Sequence, residues 1–135
     1  MSYSTSMTGR VEITPPLTWF EIKDSKHYSP AGETPSFDTD LVFEIETEER
    51  QMPEGILTIE RAVAVVPGDY ETTGRTAQAE LVELIEVFGH AHTFSGRIDG
   101  EGERTGYGPD LWRLKAIDGM IEKFVPKIVW PAESE

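Results

Sequence analysis

The chain has 135 residues, 25 of them acidic and 12 basic, so its formal net charge at pH 7 is −13, and it contains no cysteine. Without cysteine there is no disulfide framework, no thiolate zinc site, no iron–sulfur cluster and no cysteine nucleophile. A chain this acidic lacks the concentrated cationic face that phosphate backbones and anionic membranes require, so neither direct nucleic-acid binding nor membrane docking is expected.

The length suits a single domain over 1–135. Hydrophobic residues make up 38%, charged residues 27%, and the mean hydropathy is −0.37, which is globular composition. The start, Met1 to Ser6, has neither the charged opening nor the apolar run of a signal peptide. The longest aliphatic run, Ala62–Val66, is five residues, far short of a membrane helix. A cytoplasmic protein is the expectation.

Thr5–Thr14 alternates, with Met7, Gly9, Val11 and Ile13 on one face, and predicts a strand. Pro15-Pro16 should end its ladder, because proline has no N–H to donate. A short helix follows. Thr18 and Glu21 form a capping box, Leu17 and Ile22 a hydrophobic staple, and Trp19, Phe20 and Ile22 its apolar face, with an end near Ser25. Residues 26–40 are polar, hold Pro30 and Pro35, and read as a long loop.

Leu41–Glu48 and Ile56–Val66 read as a hairpin around a turn from Arg50 to Gly55. Arg61 breaks the parity of Leu57, Ile59, Val63 and Val65, so either it lies under a sheet edge or a bulge shifts the register. Ala77, Leu81, Leu84, Ile85 and Phe88 form a helical stripe, with Glu80, Glu83 and Glu86 opposite and Gly89 as the stop.

Thr93–Gly102 is a strand with Phe94, Gly96, Ile98 and Gly100 on one face. A glycine-rich loop spans Glu103 to Pro109. Asp110–Ile117 and Met120–Trp130 flank Asp118-Gly119, a strong two-residue hairpin signal. That turn sets Ile117 opposite Met120, Ala116 opposite Ile121, Lys115 opposite Glu122 and Leu114 opposite Lys123. Residues 132–135 should fray.

The expected fold is α+β, a mainly antiparallel sheet with two helices on one face. Its order is the ferredoxin-like β-α-β-β-α-β plus a C-terminal β-hairpin, with a meander as the fallback.

Chemistry-bearing patterns are sparse. His90-x-His92 is a histidine pair that would need Asp99 or Glu101 to complete a metal or catalytic grouping, and the plainer reading is a connector with two exposed histidines. The segment from Gly100 to Gly108 has no Walker lysine, and its two glutamates would repel a phosphate, so it reads as a loop. No catalytic, cofactor or metal residue is assigned, and no enzyme is expected.

Nine acids and one base fall within Glu33–Glu60, a local net of −8. Glu44, Glu46 and Glu48 alternate along the predicted strand and form the candidate interaction surface. Their plainer reading is a solvated outer face. By contrast, Asp110–Trp130 holds four bases and three acids, so the charge belongs to one half of the protein.

Three blocks carry a resemblance. They are Thr8-Gly9-Arg10-Val11-Glu12-Ile13-Thr14-Pro15-Pro16-Leu17, then Asp110-Leu111-Trp112-Arg113-Leu114 with Asp118-Gly119, then Pro126-Lys127-Ile128-Val129-Trp130-Pro131. Together the chain resembles, nearly end to end, a small domain family of unknown function from actinobacteria such as Streptomyces and their phages. The resemblance implies a cytoplasmic protein of such a host and brings no residue role.

Three functions fit this reading. The first is a non-enzymatic accessory or regulatory protein acting through protein–protein contacts. The second is a small-molecule-binding domain, with Tyr107 and Trp112 lining the ligand. The third is a phage-type inhibitor whose carboxylates mimic nucleic-acid charge. The strand ending at Lys127–Trp130 would allow a homodimer across a twofold axis.

Overall fold

The computed structural model describes residues 5–30, 39–68, 76–102, 111–117 and 119–125. Tyr107, the glycine-rich loop, the 132–135 tail and the Lys127–Trp130 edge lie outside them.

The elements run β1 (Thr5–Leu17), α1 (Trp19–Ile22), β2 (Leu41–Met52), β3 (Gly55–Pro67), α2 (Ala77–Phe88), β4 (Thr93–Gly102), β5 (Leu111–Ile117) and β6 (Met120–Phe124). The six strands form one sheet in the order β2-β3-β1-β4-β5-β6, and every neighbouring pair is antiparallel. The fold is α+β, but the ferredoxin-like architecture is not matched. The sheet is strand-rich, α1 is a single turn, and only α2 has the length to cover strands.

The buried cluster lies on one face of the sheet. Val11, Ile13, Phe94, Ile98, Leu114 and Val65 supply that face, and the helices close it with Ile22 and with Ala77, Leu81 and Leu84. The opposite face is exposed at Thr8, Arg10, Glu12, Ser95 and Arg97.

β1 does not stop at the two prolines but runs on to Leu17. They fit because they fall in a gap. Thr14 opposite Thr93 is the last pair with β4, and the β3 pairing jumps from Glu12–Ala64 to Leu17–Ala62. An absent N–H costs no ladder bond there.

In α1 the Glu21 carboxylate accepts from the Thr18 amide at 2.9 Å and its hydroxyl at 3.1 Å. Leu17 and Ile22 are both buried, as a staple requires. Trp19 and Phe20, expected inside, are 41% and 76% exposed, because one turn has room for a single inward position.

The first hairpin is longer than expected, with strands to Met52 and from Gly55 around Pro53-Glu54. Arg61 is explained by a bulge. Glu44 pairs with Ala64 but Ile45 with Ala62, so Val63 is extra. That one residue turns Arg61 to the outer face while Val65 stays in the core.

The C-terminal hairpin has the register its turn dictates, from Ile117–Met120 to Leu114–Lys123. It continues the main sheet through β5 pairing with β4.

Candidate functional site

The outer face of β2 carries Glu44, Glu46 and Glu48 together, each beside an arginine. Arg10 Nε and Nη2 donate to Glu44 Oε2 at 3.0 and 2.8 Å. Arg61 reaches Glu48 at 2.9 Å and Glu46 at 3.6 Å, and Arg50 lies 3.4 Å from Glu48. The arginines, Arg50 foremost, hold the Glu48 carboxyl below its ordinary range, and Glu44 holds Arg10 above its own. A charge mimic needs unpaired carboxylates, whereas each of these three is ion-paired.

The same hairpin projects past the sheet. β1 meets β3 at Val65, Ala64 and Ala62, so Gly55–Arg61 pairs with β2. On this arm Met52, Ile56 and Leu57 are 47%, 64% and 46% exposed. Register places Met52, Leu57 and Ile59 on the face that carries Glu46, Glu48, Arg50 and Arg61. The sequence pattern marked the acids and missed this apolar strip, because the bulge hides its parity.

A second feature lies at the other end of the sheet, a groove of about 640 Å³ where β1 begins and β6 ends. Leu111, Phe124 and Val125 line it, and Trp112, a predicted ligand-lining residue, borders it, but its side chain has the parity of Leu114 and Ala116 and packs against the core. The Trp112 ring lies on Gly100, its cross-strand partner, and a Cβ at position 100 would fall inside the ring. Asp99 and Arg113 add a two-point ion pair, at 2.7 and 3.2 Å. Arg113 depresses the Asp99 carboxyl against the opposing effect of burial.

The model of the family of unknown function DUF6205 matches residues 1–135. The chain belongs to this family. No curated protein and no solved structure matches it.

The DUF6205 chain draws His92 into its structure rather than leaving it exposed. Its Nδ1 donates to Pro15 O at 2.6 Å and its Nε2 lies 2.9 Å from Glu21 Oε2, while His90 is exposed. Neither ring nitrogen of His92 is left for a substrate, and Asp99 is engaged by Arg113 instead. Among the described residues no cluster of three His, Asp or Glu could hold a metal ion.

A buried polar cluster was not visible in the sequence. Glu80, assigned by periodicity to the polar side of α2, is 4% exposed. It accepts from the Asp40 and Leu41 amides at 3.0 and 2.9 Å and from the Thr76 hydroxyl, which Asp40 also contacts. His27 Nδ1 donates to Leu41 O at 2.8 Å. These contacts anchor the two ends of the long loop and the start of α2. Only the strand-to-helix contact makes a carboxylate useful there.

Proposed function

We propose that the protein is a non-enzymatic accessory or regulatory factor that works by protein–protein contact, in the cytoplasm of an actinobacterium or a phage of one. The projecting β2–β3 arm carries this reading. A two-stranded hairpin is marginal in water by itself. This one nevertheless exposes Met52, Ile56 and Leu57. An apolar strip of Met52, Leu57 and Ile59 bordered by ion pairs has the composition of an interface, apolar in the middle and polar at the rim. The acidic residues then orient the partner rather than bind it alone.

The test compares capture from host extract by the wild type and by a Met52→Asp, Leu57→Asp variant with the same melting curve. A partner retained by the wild type and lost by the variant supports the contact. The same captured set on both removes it.

A second reading, a small-molecule-binding domain, is favoured by the groove beside Trp112. Its volume falls within the range of about 300–1,000 Å³ typical of ligand pockets. A thermal-shift screen addresses it, since a ligand that binds the folded state raises the melting point.

A further inference from the structure

A separate groove of about 440 Å³ is lined from two sides. Glu21, Asp24, Lys26 and His27 come from α1 and the segment after it, and Glu83, Leu84, Val87 and Phe88 come from α2. It shares no residue with the β2–β3 arm or with the groove beside β6.

His27 gives this groove its chemistry. The side chain is 3% exposed. Nδ1 donates to Leu41 O at 2.8 Å, and the ring meets Phe43 edge to face at 5.8 Å between centroids, which fixes its orientation. The neutral ring then carries its lone pair on Nε2. Nε2 has no hydrogen-bond partner among the described residues. Nor is it sealed in, because Arg61 Nε is the one enclosed side-chain polar atom among those residues that lacks a partner. The small exposed part of the ring therefore includes Nε2, and it opens on the groove that His27 lines.

Acceptors in this groove outnumber donors. Glu21 is held by Thr18 and His92, and Glu83 lies 3.8 Å from Lys26, the one lysine or arginine in the lining. Asp24 has no partner among the described residues. A nearly buried histidine nitrogen and a carboxylate three residues before it thus border one groove with no protein group donating to either.

We propose that this groove binds a small primary ammonium with an aliphatic body. Its N–H groups donate to His27 Nε2 and to the Asp24 carboxylate, and its hydrocarbon lies along Leu84, Val87 and Phe88. An ammonium brings three donors and a positive charge, which the two acceptors lack. Three carboxylates in the lining disfavour an anion. A metal ion is disfavoured because no three His, Asp or Glu side chains converge among the described residues. The site goes beyond the protein contact and the β6 groove and does not depend on either.

The experiment is an NMR titration of the full chain with pentylamine and with 1-pentanol, its neutral counterpart, at neutral pH. Pentylamine should move the His27 Nε2 resonance upfield, as a hydrogen bond to an unprotonated ring nitrogen does, and should shift the amides of Asp24, Leu84 and Phe88. Pentanol should bind about tenfold more weakly, the scale of a charge-assisted hydrogen bond. Asp24→Asn, at an exposed position, should melt with the wild type and lose a similar factor for the amine alone. Equal binding of amine and alcohol would overturn the ammonium. An unmoved Nε2 resonance, or full amine affinity in Asp24→Asn, would overturn the assigned acceptors. Shifts centred on the Trp112 indole would put the amine beside β6 and overturn the site.

Discussion

His92 Nε2 lies 2.9 Å from Glu21 Oε2 although 71 residues separate them. The other ring nitrogen donates to Pro15 O. Both nitrogens face oxygen atoms, and the ring ties α1 to the start of β4. Burial opposes the charged form of Glu21, but hydrogen bonds from the Thr18 amide, His92 and the Thr18 hydroxyl outweigh it and lower its pKa. A depressed carboxylate adds stability above its unfolded value of about 4.3, and that stability is lost as pH falls through the folded value. Glu21→Gln should therefore flatten the acid limb of the stability curve. Urea unfolding between about pH 3 and pH 7 measures it, and an unchanged limb would count against the clamp.

His92→Ala should cost about 1–3 kcal/mol, since it leaves the Pro15 carbonyl and the Glu21 carboxylate short of a donor. His90→Ala, at an exposed position, should stay within about 0.5 kcal/mol. Chemical denaturation at neutral pH separates the two.

Glycines at positive φ should respond unequally to alanine. Gly9 has φ +123°, and a Cβ there would collide with the Arg97 carbonyl of β4. Gly55 has φ +140° but open space around it. Gly55→Ala should cost about 1–3 kcal/mol of backbone strain. Gly9→Ala adds the collision and should cost more than that or prevent folding. Thermal melts rank them, and equal losses would show that β1 and β4 do not pack this closely.

Glu80→Ala should cost about 2–4 kcal/mol, because the buried Asp40 and Leu41 amides lose their acceptor. Glu83→Ala, three residues along the same helix, removes only an exposed contact of 3.8 Å to Lys26 and should cost under about 0.5 kcal/mol. Similar losses at both positions would contradict the anchoring role of Glu80.

On the projecting arm, Leu57→Thr should change stability by less than about 0.5 kcal/mol, while Leu114→Ala in the core should cost about 2–5 kcal/mol. Urea midpoints test this. A large loss at Leu57 would mean that the arm is covered within the molecule.

The sequence was readable wherever structure is decided by near neighbours. The α2 stripe places Ala77, Leu81 and Leu84 in the core, and the Asp118-Gly119 turn sets five cross-strand pairs. What depends on strand order was not readable. Arg10, Arg97 and Lys115 are 87 and 18 residues apart in sequence, and only the sequence of neighbours β1-β4-β5 lines them up. The clamp of His92 by Glu21 and the inward turn of Glu80 have the same origin. Apolar periodicity cannot report a polar side chain whose partner is a distant backbone group. Trp112 alternates in β5 with Leu114 and Ala116, a local mark that lays its ring on Gly100 beside the core.

The extra residue at Val63 makes chain length itself a constraint. With it, Val65 points inward and Arg61 outward within one strand. Deleting one residue at this point would leave the composition nearly unchanged yet rotate every side chain of the arm by half a turn. Arg61, Ile59 and Leu57 would swap faces with Glu60, Thr58 and Ile56. The ion pairs of Glu46 and Glu48 would be lost in the same step. Point substitutions on the arm are therefore mild changes, whereas insertions and deletions at its base are not. Alignments of the family should show gaps at the Pro53-Glu54 turn long before they show one beside Val63.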